Sequence, residues 1–279
     1  MSISRFRYGA IPQLVLLAVA FGAACGSAAA DTLKARYSIS LIGLPLGTAE
    51  VTADIEPNSY KLDTVAKLSG IAALISSAKG ATTATGAITL GKISPATYST
   101  ISASSKMTRT VRMGISGGNV RGIDISPPLE DDHAPDRVPL TEADKHNIID
   151  PMSAVVMPVP NGQPLVGPAA CNRSIPIFDG ASRFDIDLTY VGTREVSTNG
   201  YAGPVAVCAV RYVPIAGYRR NREATRFMAD NKQMDVWLAP IASAHVTVPF
   251  RISILTLLGT TVIEASEFHL VPSDKAAVR

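Results

Sequence analysis

Apolar and polar side chains alternate with a period of two along several stretches that follow residue 30. In residues 60–68, Tyr60, Leu62 and Leu68 share one face, whereas Lys61 and Asp63 fall on the other. A period of two is typical of a β-strand with one buried face. The same alternation recurs in residues 110–115, 184–190, 234–238 and 244–254.

Turn signals separate these stretches at residues 43–47, 57–59, 116–119, 199–200 and 258–259. They contain glycine, proline, asparagine or serine, the residues that short hairpin connections favour. Strands joined by such short connections lie antiparallel. The sequence therefore predicts one mainly antiparallel β domain over residues 31–279.

Two segments depart from the alternation and favour short helices. Residues 70–79, GIAALISSAK, are rich in alanine. In residues 141–157, Thr141 and Asp144 resemble a capping box, and Asp150 precedes Pro151 as a cap precedes a proline at the first helical position. This second segment predicts two short helices with a break at Asp150.

The first thirty residues have the organisation of a secretory signal peptide. Arg5 and Arg7 precede an apolar run over 11–24, and three alanines end at Ala30. We expect cleavage after Ala30, a mature chain that begins at Asp31, and a periplasmic location. Lipidation at Cys25 is the alternative, although GAAC at 22–25 lacks the bulky aliphatic residue that usually opens a lipid-attachment motif.

Charge and aromatic content exclude two other classes of protein. After the leader, 24 Lys and Arg residues oppose 23 Asp and Glu residues, so a nucleic-acid partner is not expected. One Trp and 6% aromatic residues are too few for the girdles of an outer-membrane barrel. No later segment is long and apolar enough to cross a membrane as a helix, so no transmembrane segment is expected after cleavage.

The mature chain keeps two cysteines, Cys171 and Cys208. An even pair in an exported protein predicts a disulfide bond. Two separate buried thiols are the alternative interpretation.

Short motifs follow one another in a characteristic order: Tyr37, GLPLGT at 43–48, RVP at 137–139, DPMSA at 150–154, Cys171, FDG at 178–180, Arg183, YAGP at 201–204, Cys208, YVP at 212–214 and WLAP at 237–240. This order resembles the bacterial envelope family known as domain of unknown function 3108, in its alphaproteobacterial form. The resemblance implies a periplasmic protein with one large, strongly curved antiparallel sheet, an open barrel or spiral similar to lipoprotein carriers, wrapped around short helices. It implies no established activity.

The sequence contains no strong catalytic or metal-binding signature. His133 and His146 lie near acidic residues, but without the spacing of a metal site, so a solvated acidic loop is the better interpretation. Ser153 lacks the surroundings of a nucleophile elbow, and helix initiation explains its motif. We predict no catalytic residue, no metal site and no cofactor.

Residues 219–226 carry four arginines in a nearly neutral chain: Arg219, Arg220, Arg222 and Arg226. Guanidinium groups bind phosphate and carboxylate bidentately, so this tract is a candidate site for an anionic partner. A solvated hairpin or loop is the alternative.

The sequence favours a non-enzymatic envelope protein that binds a lipid-like or lipoprotein acyl group, or scaffolds envelope components, on an apolar concave face. Strands with one apolar face must cover it, and two short helices leave part of it open. The expected ligand-binding residues are Leu62, Leu68, Leu74, Met113, Phe184, Leu188 and Val236, with a helix over 71–75 as plug or wall. A module that binds another envelope protein is the alternative function, and an envelope hydrolase is the third.

Overall fold

The computed structural model describes residues 31–69, 78–130 and 133–272. The expected leader and nearly all of the expected helix over 70–79, with Leu74, lie outside the described residues. The strands are β1 (Asp31–Leu41), β2 (Leu44–Ile55), β3 (Ser59–Leu68), β4 (Lys79–Thr89), β5 (Lys92–Ala103), β6 (Thr108–Ser116), β7 (Asn119–Ser126), β8 (Met157–Pro158), β9 (Arg173–Phe178), β10 (Arg183–Thr198), β11 (Tyr201–Ala216), β12 (Met234–Ile241), β13 (Val246–Thr256) and β14 (Gly259–Pro272). The described α-helices are α1 (Pro168–Cys171) and α2 (Glu223–Asp230).

The strands form one large antiparallel sheet, as the alternation and the turn signals predict. Its order is β7-β6-β5-β4-β3-β2-β1-β14-β13-β12-β11-β10-β9, and β8 pairs with β13 outside this path. Neighbours in the order are also neighbours in the chain, except where β1 pairs with β14. Within the described residues β7 and β9 do not pair with each other, so the sheet is an open barrel.

The connection from β7 to β9 spans the opening between these two edge strands. The Ile148 N–H donates to the Gly118 carbonyl at 2.9 Å, beside the turn between β6 and β7. The Ile149 N–H donates to the Pro176 carbonyl at 2.8 Å, and the Ile149 carbonyl accepts the Phe178 N–H at 3.0 Å, both on β9. Residues 148–159, here called the interior segment, are largely buried. The sheet thus wraps around a piece of its own chain.

The two helices expected over 141–157 are single 3₁₀ turns, Glu142–Lys145 and Ser153–Val155. The capping box is present, and Asp144 Oδ2 also accepts a hydrogen bond from the hydroxyl of Thr141 at 2.6 Å. The second turn ends at a pair of valines ahead of Pro158, where branched side chains and a missing N–H oppose a longer helix.

Helix α2 takes up the second part of the arginine tract, because Arg226 lies within it, whereas Arg219, Arg220 and Arg222 precede it. Its sequence, EATRFMAD, consists mainly of good helix formers and contains no glycine or proline. Phe227 and Met228 are half-buried, so the helix covers part of the sheet through one apolar face.

Two hydrophobic clusters form the core. The first fills the inside of the barrel and includes Leu33, Tyr60, Leu62, Met113, Phe178, Phe250 and Phe268. The second surrounds the disulfide and includes Ile175, Leu188, Ala206 and Val236. Strand β11 buries four consecutive residues, 205–208, and contributes to both clusters, so both faces of the sheet are covered there.

Cys171 at the end of α1 and Cys208 of β11 form a disulfide, with Cα atoms 5.5 Å apart. Both residues are 0% exposed. The predicted pairing is therefore confirmed, and a buried disulfide fits an oxidising compartment. No helix in the described part of the chain is both long and apolar enough to traverse a membrane.

Candidate functional site

A buried hydrogen-bond cluster holds the interior segment against the inside of the sheet. The Tyr60 hydroxyl on β3 donates to Ser153 Oγ at 2.7 Å. Asp150 Oδ1 accepts the N–H groups of Met152 and Ser153 at 3.0 and 2.8 Å. Burial raises the pKa of the Asp150 carboxyl and of the Tyr60 phenol, so both groups keep their protons to higher pH than usual.

This cluster lacks the geometry of a hydrolase site. Ser153 is 0% exposed, its oxygen accepts the Tyr60 hydroxyl, and no histidine among the described residues is hydrogen-bonded to it. Among the residues that the structure describes, no group of three or more His, Cys, Asp and Glu is placed to hold a metal ion. His146 instead bonds to Asn119 at 2.7 Å.

An apolar cavity of about 170 Å³, here called the inner cavity, lies between the interior segment and the inward face of the sheet. Tyr37 contributes its ring, because its hydroxyl is taken by the Pro249 carbonyl at 2.6 Å. The wall includes Leu33, Tyr37, Val51, Leu62, Thr64, Met152 and Ile263.

A second cavity, the rim cavity of about 600 Å³, lies at the end of the barrel where β3 meets β4 and β5 meets β6. Its apolar wall includes Ile39, Ala66, Leu68, Ala103 and Met107. Its charged wall consists of Lys67, Lys79, Lys106 and Arg109. The described wall holds no carboxylate, so the rim cavity is an apolar space with a cationic border.

Strand β3 connects the inner and rim cavities. Leu62 and Thr64 line the inner cavity, and Ala66 and Leu68 line the rim cavity. All four side chains share one face of β3, whose pairing with β2 and β4 is free of bulges. At about 3.3 Å per residue, this face is about 20 Å long between Leu62 and Leu68.

The structure divides the described ligand-binding residues predicted from sequence among four places. Leu62 lines the inner cavity and Leu68 the rim cavity. Met113 is buried in the first cluster near Gly180 of the turn between β9 and β10, so the chain itself covers this residue. The remaining described members, Phe184, Leu188 and Val236, pack in the second cluster around the disulfide. The six described residues therefore do not form one continuous face, and Leu74 lies outside the described residues.

The arginine tract contributes two of its four members to a third cavity, here called the arginine cavity, of about 540 Å³. Arg219 and Arg222 line it together with Arg109 of β6 and Arg137 of the connection from β7 to β9. Arg220 and Arg226 are exposed and do not line it. The sequence pattern could have identified Arg109 as a residue of this cavity, because the alternation places Arg109 on the same face of β6 as Val111 and Met113. No local pattern identifies Arg137, because it reaches the cavity through contacts with residues that are distant in the chain.

A fourth cavity, of about 680 Å³, lies at the other end of the barrel, beside the turns between β4 and β5 and between β6 and β7. Its charged residues are Lys92 and Arg173. The Arg173 guanidinium donates to the carbonyls of Pro158 and Ala169 at 2.8 and 2.6 Å. Arg173 therefore ties the start of β9 to the interior segment and to α1.

A family model for a protein of unknown function, DUF3108, matches residues 36–266. The chain belongs to the DUF3108 family. The match spans both halves of the sheet and the interior segment, and it includes every cavity-lining residue named above except Leu33. No curated protein sequence matches the chain significantly.

Among solved structures, this DUF3108 chain is similar to the crystal structure of a β-barrel-like protein of domain of unknown function DUF1849 from Brucella abortus. The two share 10% sequence identity with a TM-score of 0.47. The match covers 87% of this chain and 98% of the other.

Proposed function

We propose that this protein is an exported, non-catalytic binding protein of the bacterial envelope that holds an acyl chain along the inward face of β3. The observation that carries the proposal is the succession of the inner and rim cavities on that one face. The interior segment borders the inner cavity through Met152 but is not among the described residues that line the rim cavity.

The dimensions of the two cavities suit one acyl chain. The hydrocarbon core of a bilayer is about 30 Å thick, so one leaflet's chains extend about 15 Å, which the face of about 20 Å between Leu62 and Leu68 accommodates. Apolar atoms form most of the surface of both walls. Transfer of apolar surface from water into such walls is favourable in proportion to the area buried.

Export is the second part of the proposal. The basic and apolar organisation of residues 1–30, the alanines that end at Ala30 and the Cys171–Cys208 disulfide support a periplasmic location.

Filling the rim cavity tests the acyl proposal. In the variant Ala66→Trp, the indole occupies the space above β3, and we expect the affinity for a neutral apolar probe, N-phenyl-1-naphthylamine, to fall about tenfold or more. The matched control is Val65→Trp on the same strand, since Val65 faces outward and is 56% exposed. We expect the control to bind within about twofold of the wild type.

Probe fluorescence with displacement by a monoacylglycerol measures both affinities, and urea unfolding checks that both variants fold. Equal affinities of the two variants would contradict binding along β3.

Mass spectrometry of the protein purified from its own cells tests the presence of a bound lipid and the site of cleavage. A retained lipid and a chain that begins at Asp31 are expected, whereas an acylated Cys25 would contradict cleavage after Ala30.

A further inference from the structure

The arginine cavity adjoins the rim cavity. Met107 and Arg109 line both cavities. Met107 contributes an apolar side chain, and Arg109 contributes a cationic one. An apolar space and a strongly cationic space therefore share one wall. Such an arrangement suits a molecule with an apolar tail and an anionic head.

Two of the four arginines in the arginine cavity have partners. Arg219 pairs with Asp136, and Arg137 donates to the Ala181 carbonyl at 2.8 Å. Glu130 contributes a carboxylate to the described wall. The adjoining Asp136 is engaged, because its Oδ1 accepts Arg219 Nε at 2.7 Å and its Oδ2 accepts the Asn221 N–H at 3.1 Å. Asp131 and Asp132, which follow Glu130 in the sequence, lie outside the described residues.

Arg109 and Arg222 carry the argument. Arg109 donates from Nη2 to the Pro128 carbonyl at a long 3.4 Å, and its buried Nε has no hydrogen-bond partner in the described part of the protein. A buried donor without a partner is uncommon in folded proteins and points to an absent ligand, ion or water. The exposed Arg222 begins α2 and has no carboxylate partner among the described residues.

We propose that the arginine cavity binds a phosphate group, and that the natural occupant is a phosphate monoester that carries an acyl chain in the rim cavity. The second part rests on the proposed acyl function. A phosphate monoester carries close to two negative charges and three acceptor oxygens, so it engages more than one guanidinium group. Hydroxyl groups of Ser182, Tyr218 and Thr225 in the same wall supply neutral donors.

The test compares three probes on the mature protein by isothermal titration calorimetry. They are inorganic phosphate, a lysophosphatidic acid below its micellar concentration, and a monoacylglycerol with the same chain. We expect the lysophosphatidic acid to bind about tenfold or more tightly than the monoacylglycerol, because a charge-assisted hydrogen bond is stronger than a neutral one.

The deciding variant is Arg222→Gln, which removes a cation from the arginine cavity and leaves the rim cavity intact. We expect this variant to have an affinity for lysophosphatidic acid about tenfold lower than that of the wild type. We expect its affinity for the monoacylglycerol to stay within about twofold of the wild-type value. Arg109→Gln is a second variant with the same expectation for the phosphate lipid. Arg220→Gln is the matched control, since Arg220 is an exposed neighbour that does not line the cavity.

The outcomes separate the two proposals. If both lipids bind equally and Arg222→Gln affects neither, the phosphate site is refuted and the acyl site stands. If inorganic phosphate binds and is lost in Arg222→Gln while neither lipid binds, the phosphate site stands with free phosphate as its source and the acyl proposal fails. If Arg220→Gln lowers the affinity for the lysophosphatidic acid as much as Arg222→Gln does, the loss of affinity comes from the general charge of the surface. The arginine cavity is then not the binding site.

Discussion

The hydrogen bond from Tyr60 to Ser153 offers a direct test of the path that the interior segment takes through the barrel. The two residues lie 93 positions apart, and their side-chain oxygens are 2.7 Å apart in the buried core. Tyr60→Phe keeps the buried ring and removes only the hydroxyl. Ser153 then loses its donor, and we expect the free energy of unfolding to fall by about 1–3 kcal/mol.

The magnitude that decides the question is the coupling between two substitutions. Ser153→Ala alone strands the buried Tyr60 hydroxyl and costs a similar amount, about 1–3 kcal/mol. Because the double variant strands neither partner, we expect its loss to be smaller than the summed single losses by about 1 kcal/mol. Urea unfolding of the four proteins at constant pH, followed by circular dichroism, measures the three differences.

Tyr37→Phe provides the control for this cycle. The Tyr37 hydroxyl donates to the Pro249 carbonyl, so its loss should add to that of Ser153→Ala within about 0.5 kcal/mol. Additivity of the Tyr60 and Ser153 substitutions to the same precision would refute the contact, and with it the described position of the interior segment.

Three further predictions concern stability. Reduction of the disulfide, which closes a loop of 37 residues, should lower the free energy of unfolding by about 4 kcal/mol in the chain-entropy account, and equal urea midpoints for the oxidised and reduced proteins would contradict it. Burial raises the pKa of Asp150 above its ordinary 3.8, so the folded protein holds a proton that the unfolded chain releases and stability is lost as pH rises through that window. In urea titrations between pH 4 and 7, the free energy of unfolding should therefore fall more steeply with pH in the wild type than in Asp150→Asn. Parallel dependence on pH in the two proteins would contradict a raised pKa of Asp150. A side chain on Gly86 would overlap the Tyr60 hydroxyl, whereas the space around Gly122 is open, so Gly86→Ala should lower the melting temperature several degrees more than Gly122→Ala.

Much of the secondary structure follows from local pattern. The alternation predicts β3, β6, β10, β12 and β13, and the glycine-containing turns predict the hairpins that join neighbouring strands. The bonds of Thr141 with Asp144 and the N–H groups that Asp150 accepts match the caps expected from sequence. These features depend on residues a few positions apart, which is why sequence alone predicts them.

The candidate site is less accessible to sequence reasoning because it depends on the curvature of the sheet. The alternation of apolar and polar residues shows which side chains share a face of one strand, but it does not show which element covers that face. Leu62 and Leu188 both occupy apolar faces of alternating strands, yet Leu62 borders the inner cavity and Leu188 packs beside the disulfide. Strand β11 is covered on both faces at residues 205–208, and nothing local distinguishes the two sides.

The pairing of β1 with β14 places the most distant strands of the described chain at the middle of the sheet. The hairpins of β1 to β7 and of β9 to β14 join near neighbours and can form early, whereas the seam joins residues such as Ser38 and Glu264, 226 positions apart. Because distant contacts form only after a large loop closes, we expect the seam to form late in folding. Until it does, β1 and β14 are two long unpaired edges, the kind of surface through which incomplete sheets associate with one another.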